Sequence, residues 1–374
     1  MPGKIVSTQQ GRVAGYFSGA AVQTQNFHVT DIPARRLTHI IYAFANVDSA
    51  GTCVSVNAAE DKVNFPQLLQ LKQQHPSLQT LISVGGASHS ANFPHAASTD
   101  RLRLHFATSC IQFMKENGLD GIDIDWEFPA AADTKSFTAL LRELRSGLEA
   151  QSATDQRPYL LTMAAPAGPE HYSILELNLI HPFLDWINLM AYDFSVASSK
   201  VTDFVAPLEA YDLAVGNHAA LNVDAAVQAY LRSGVPPEKV VLGTRFVGTG
   251  WKGVPNTNHG LYQRNQGPAK GTWDRAGAAP SGSFGYQDIK KNYFGKYSRN
   301  WHSEARVPWL YSAATGIMIS YEDPESLALK ANYALSNALG GVMIWELGAD
   351  DAQHTLLDAL TGGYAHQRAR ANRR

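Results

Sequence analysis

Eight short apolar or β-branched runs recur along the chain, at 13–17, 39–45, 79–84, 121–127, 159–165, 186–192, 240–247 and 341–347. Several are almost continuously hydrophobic, which is what a parallel strand covered on both faces requires. The stretches between them read as helices. In 136–149 the apolar residues Phe137, Leu140, Leu141, Leu144 and Leu148 fall at helical spacing. In 324–339, Asp323 stands as an N-cap with Pro324 at the first helical position. Eight strands alternating with helices within 374 residues predict a (β/α)8 TIM barrel in preference to an open doubly wound sheet.

Successive strand starts lie 26, 40, 42, 38, 27, 54 and 101 residues apart. A βα unit rarely needs much more than about 45, so the last interval predicts an insertion. The expected division is a barrel over 11–250 and 312–362, a small α+β insertion at 251–311 between strands 7 and 8, and tails at 1–10 and 363–374. The insertion carries eleven aromatic residues in 61, from Trp251 to Tyr311, nearly twice the chain average of 10%. It follows strand 7 and so leaves from the C-terminal face, where the active sites of such barrels lie. Its rings either wall that site or fill the core of an inserted subdomain, and the sequence leaves both readings open.

Composition excludes several partners. Lys and Arg total 31 against 33 Asp and Glu, so the net charge of −2 gives no footprint for nucleic acid or an acidic membrane, and a neutral polymer or small molecule is expected. Cys53 and Cys110 lack metal-type spacing and are expected as free thiols. No segment approaches the roughly 18 apolar residues of a membrane span, and the first ten residues have no signal-like apolar run, although a removed export signal leaves no trace. The basic run 367–374 reads as a solvated end.

The stretch Asp120-Gly-Ile-Asp-Ile-Asp-Trp-Glu127 carries the chemistry. Side chains alternate along a strand, so Asp123, Asp125 and Glu127 share one face while Ile122, Ile124 and Trp126 share the other. Three carboxylates on an inward face are not a packing choice, since each buried charge costs several kcal/mol unless protonated, paired or hydrogen-bonded. Their mutual repulsion raises the affinity of the row for a proton, and Glu127, nearest the mouth, is best placed to deliver it to a leaving oxygen. A divalent cation is the alternative user of such a row, but no second Asp/Glu/His cluster stands at the other strand ends. Near those ends lie Ser83-Val-Gly-Gly86, where backbone must approach closely, Met190 and Tyr192 with Asp193 just beyond, and Met343 with Trp345 as an apolar floor.

These residues resemble glycoside hydrolase family 18, the chitinases and their relatives. The family signature D-G-x-D-x-D-x-E stands unbroken at 120–127, with S-x-G-G at 83–86, M-x-Y-D at 190–193 and a strand-8 motif at 340–345, so similarity runs from about residue 11 to 358. The resemblance implies a (β/α)8 barrel and hydrolysis of β-1,4-linked N-acetylglucosamine in chitin or chitooligosaccharides, with retention and no cofactor or metal. The substrate acetamido oxygen would serve as nucleophile, a departure from the usual two-carboxylate scheme. Glu127 would be the acid, Asp125 would hold the acetamido N–H with Asp123 and Ser83 behind it, and Tyr192 would bind the acetamido oxygen. The remaining substrate contacts expected are Asp193, Met190, Trp345, Ser83, Tyr16, Phe44 and Trp251. A monomer, commonly exported, is implied. One departure stands out. Where one subgroup has Y-G-R-G-W after strand 7, this chain has Val247-Gly-Thr-Gly-Trp251. Its Tyr and Arg contacts therefore do not transfer, and Arg245 is a substitute to be checked. The competing readings are an endo-β-N-acetylglucosaminidase on N-glycan or peptidoglycan, and a non-catalytic lectin.

Overall fold

The computed structural model describes residues 11–212 and 219–362. The expected tails at 1–10 and 363–374, including the basic run 367–374, lie outside the described residues. Among the described residues, fourteen strands form two sheets. Eight of them, β1 Arg12–Ser18, β2 His39–Val47, β4 Gln79–Gly85, β5 Gly121–Asp125, β6 Leu160–Pro166, β7 Trp186–Met190, β8 Val240–Arg245 and β14 Gly341–Trp345, are hydrogen-bonded in parallel in that order, and β14 returns to β1. The result is a closed parallel barrel with helices between the strands, the architecture expected from the sequence. The short β3 Cys53–Ser55 lies antiparallel on β2.

The outward faces of the strands meet the helices. Ile122 and Ile124 of β5 are fully buried there, and helix Thr134–Asp155 returns Phe137, Leu140, Leu141, Leu144 and Leu148, the same five residues that set its periodicity. Helix Pro324–Ser336 begins at Asp323, whose side chain accepts from the Glu325 and Ser326 N–H groups. It stops short of 339 because Ala338 takes a left-handed φ of 53° and the chain turns away.

Four strands end earlier than their apolar runs, among them β14, which stops at Trp345. β5 stops at Asp125, past which the Glu127 N–H donates to the Ser90 side chain and not to a neighbouring strand. β7 stops at Met190 in a local turn, and 240–247 is split between β8 and a new strand, β9 Val247–Trp251. With β10 Ser283–Gly285, β11 Ser298–His302, β12 Val307–Ser312 and β13 Ile317–Ser320, β9 forms a separate antiparallel sheet in the order β10-β9-β13-β12-β11. That sheet runs from Val247 to Ser320 and so reaches beyond both ends of 251–311. Its rings are divided: Trp251, Trp309 and Tyr311 pack with Phe204, Val254, Leu261 and Met318, while Phe284 and Tyr286 join the main cluster shared with the barrel.

Cys53 and Cys110 are buried free thiols. Among the described residues no helix is long and apolar enough to cross a membrane.

A buried ion pair ties helix 324–336 to the segment entering it. Lys330 is fully buried, donates to Glu322 and to the Ala206 carbonyl at 2.6 Å, and Ser326 Oγ donates to the second Glu322 oxygen at 2.5 Å. Such a pair contributes little over an apolar replacement, whereas half of it is costly. Lys330→Met is expected to lower unfolding free energy by about 3–5 kcal/mol, with most of the loss regained in Lys330→Met/Glu322→Leu. Denaturant unfolding of the three proteins checks this.

Candidate active site

The barrel interior fills from the bottom. Trp186, Leu81, Ile41, Val241 and Ala14 form a buried apolar plug, with Tyr16 and Met343 in the same cluster. Above Trp186, polar residues interrupt the apolar strands. Trp186 Nε1 donates to Asn188 Oδ1 at 2.9 Å, and Asn188 turns its amide toward Asp123.

Asp123 is wholly buried and is held by four side chains from four strands. Tyr16 of β1 donates to Oδ2 at 2.7 Å and Ser83 of β4 to the same oxygen at 2.8 Å. Thr162 of β6 donates to Oδ1 at 2.5 Å and Asn188 of β7 at 3.2 Å. Burial raises its proton affinity and these bonds pull it back. Every partner is a donor, which is the environment of a carboxylate. With its acceptor sites filled, Asp123 has no oxygen left for a cation. Ser83 thus supports Asp123, whereas the sequence reading set it behind Asp125.

Asp125 comes next, 3% exposed, and its Oδ1 has no hydrogen-bond partner within the protein. Burial, then the charges of Glu127 and Asp123, push its carboxyl well above the usual range. The backbone beside it is confined by two glycines. At Gly85 (φ +113°) a Cβ would sit 2.1 Å from the Asp125 carbonyl oxygen, and at Gly86 (φ +86°) it would strike the Phe44 ring at 2.8 Å. This is the close approach that Ser83-Val-Gly-Gly86 predicts.

Glu127 lies two residues past the end of β5. Its N–H donates to Ser90 Oγ at 2.9 Å, and that hydroxyl donates to the Gly86 carbonyl at 2.9 Å. Its carboxyl is pushed up to about 7, first by burial and then by Asp193, against a backbone hydrogen bond from Ala87. Repulsion within the row therefore acts mainly on Asp125, and the partner of Glu127 comes from the end of β7. Trp126, on the opposite face, stacks on Phe93 at 5.2 Å beneath the helices.

Two chambers meet at Glu127. One, about 280 Å³, is lined by Asp125, Tyr16, Phe44, His89, Trp345 and Ala164 among others. The other, about 400 Å³, is lined by Phe128, Glu170, His171, Phe194 and Leu221. Glu127, Met190, Tyr192 and Asp193 line both. Trp345 floors the first, stacked with Phe44 at 5.7 Å and tilted to Tyr16 at 5.6 Å. The Tyr192 hydroxyl has only a 4.0 Å contact to Met343 Sδ, and burial raises its pKa well above the usual phenol value. In the second chamber Phe128 and His171 stack at 4.3 Å.

The structure therefore brings together Glu127, Asp125, Asp123, Tyr192, Asp193, Met190, Trp345, Tyr16, Phe44 and, through Asp123, Ser83. Trp251 does not join them. It is fully buried in the core of the second sheet and lines neither chamber, because β9 turns from the barrel into that sheet. None of the eleven aromatic residues of 251–311 lines either chamber among the described residues. Sequence reasoning missed Thr162, Asn188 and Ser90. For the first two a signal existed: each is a polar residue inside a strand otherwise apolar on both faces. Arg245 proves to reach Asp193 Oδ1 at 2.5 Å and Thr249 Oγ1 at 2.9 Å.

Known proteins resemble this chain in sequence and fold. The chain is 34% identical to Chitinase A1 of Niallia circulans, with 93% of this chain aligned to 58% of that protein, so it spans somewhat over half that relative's length. Chitinase ChiA74 from Bacillus thuringiensis superposes with a TM-score of 0.89 at 32% identity, covering 96% of this chain and 70% of that one. A glycoside hydrolase family 18 N-acetylglucosaminidase from Paenibacillus barengoltzii superposes at 0.81 with 33% identity, covering 94% and 99%. Since residues 12–350 also match the family described as glycosyl hydrolases family 18, nearly the whole barrel included, the chain belongs to that family and is a glycoside hydrolase.

Proposed function

We propose that this protein is a chitinase, cleaving β-1,4 bonds between N-acetylglucosamine units with retention by substrate-assisted catalysis. The observation that carries the reading is the position of Glu127 where two chambers join. A sugar chain lying through both puts one glycosidic oxygen over that carboxyl, which is protonated up to about pH 7.

The sugar before the bond sits on Trp345, its apolar face against the indole. Its acetamido N–H donates to Asp125, whose Oδ1 otherwise lacks a partner, and Tyr192 donates to the acetamido oxygen. That oxygen attacks the anomeric carbon as the C–O bond breaks, and the Glu127 proton passes to the leaving oxygen. The oxazolinium ion that forms is cationic, and Asp125 above the anionic Asp123 stabilises it. Glu127, now a carboxylate, takes a proton from water as that water attacks the same carbon, which opens the ring and restores the acid. Asp193 and Met190 border the bond on both sides. The leaving sugar rests on the Phe128–His171 stack, near Glu170. We propose a monomer that works outside the cell on a neutral polymer, without cofactor.

Glycoside hydrolase relatives include an N-acetylglucosaminidase that this chain covers at 99%, so release of single sugars is the second reading. The products of a defined N-acetylglucosamine hexamer separate the two: internal fragments support the chitinase, and monomer alone supports the other.

Glu127→Gln is expected to lower kcat by about a hundredfold or more while chitooligosaccharide binding survives, as read by kinetics alongside calorimetry. Full activity in that variant overturns the assignment. An oligosaccharide without the N-acetyl group at the cleaved unit is expected to be inert. The pH profile has a definite sign. The acid must carry its proton, so kcat/KM holds below about pH 7 and falls roughly tenfold per unit above it. A profile still rising through pH 8 counts against Glu127 as the acid.

A further inference from the structure

β8 ends on Arg245, whose side chain is 12% exposed and is not itself part of either chamber lining. Its Nη1 donates at once to Asp193 Oδ1 at 2.5 Å and to Thr249 Oγ1 at 2.9 Å. Thr249 is the position at which the related motif carries its arginine, so here the guanidinium reaches the same neighbourhood from four residues earlier in the chain. No lysine or arginine lines either chamber among the described residues, although Glu127, Asp125 and Asp193 all face the first. Arg245 is thus the cation set behind Asp193.

Asp193 needs such a hold. It adopts a left-handed φ of 59°, sits on an exposed turn after β7, and its carboxylate borders both chambers. Behind Arg245 stands Glu346, 6% exposed, which accepts from Gln25 at 2.5 Å while its second oxygen has no partner. The remaining groups around Arg245 are Tyr192, Tyr321 and Glu322, and Glu322 is already neutralised by Lys330.

We propose that Arg245 is a positioning residue: by clamping Asp193 between the two chambers from the end of β8 it sets the electrostatic field on Glu127. The proposal rests on the reading of Glu127 as the general acid. Asp193 is the charge that, after burial, most raises the proton affinity of Glu127. The arginine offsets part of that field and fixes the carboxylate that makes it.

The test is the pH dependence of kcat/KM on a soluble chitooligosaccharide, with kcat and KM resolved. In Arg245→Met the field of Asp193 is uncompensated, so the falling limb moves to higher pH by roughly half a unit or more, and kcat drops about tenfold as Asp193 loses its orientation. Arg245→Lys keeps the charge without the fork, and should return the limb to its original place while recovering only part of kcat. Arg245→Gln, still able to donate to Asp193 and Thr249, gives the same limb shift if the methionine variant does not fold. Thermal melts accompany each variant. A limb that stays where it was in folded, uncharged variants overturns the proposal and leaves Arg245 a merely structural residue. Glu127→Gln in the same assay separates the two levels: an active Glu127→Gln removes the underlying reading, whereas an inactive one with an unmoved Arg245→Met limb removes this inference alone.

Discussion

Asp123 holds a carboxylate at the centre of a closed barrel, and the site depends on how that charge is accommodated. Its four donors come from β1, β4, β6 and β7, while the residue itself is on β5. No local segment could assemble this set. Closure of the barrel brings the strands into register, and the charge in turn requires that register, because losing any one donor leaves a buried oxygen less than satisfied. Fold and site are in this sense one constraint.

Upward from Asp123 the environment changes in steps. Burial, then the charges of Glu127 and Asp123, keep Asp125 from ionising cheaply, Asp125 keeps an oxygen free of protein partners, and Glu127 is governed by burial and Asp193. Three acids of nearly the same chemistry thereby acquire different environments. The difference is made by neighbours and not by the residues themselves.

Much of this was legible in the sequence, for reasons that can be given residue by residue. The barrel could be read because eight strands buried on both faces leave long apolar runs, and the helix at Thr134–Asp155 because five leucine and phenylalanine positions repeat at its period. The carboxylate row could be read because alternation alone brings Asp123 and Asp125 to one face. What alternation cannot give is where a ladder ends. β7 breaks off at Met190, so Tyr192 and Asp193 are placed by a turn, and the continuous run at 240–247 conceals a change of sheet that carries Trp251 away from the cleft. Nor does any local pattern reveal that Arg245 meets Asp193, 52 residues away. Pairings of that kind belong to closure, and closure is not periodic.

The apolar plug beneath the polar layer has a further consequence. Trp186, Leu81, Ile41 and Val241 are 1% exposed or less and fill the barrel below Asn188. Water therefore has no route to the carboxylates through the floor. On the proposed reading, the proton that Glu127 gives up is replaced from the side of the mouth, the opening proposed to take the sugar chain. Substrate and protons would then share one side of the barrel, the side away from the plug. In the proposed second step, the water that attacks the sugar is also the source from which the acid is recharged.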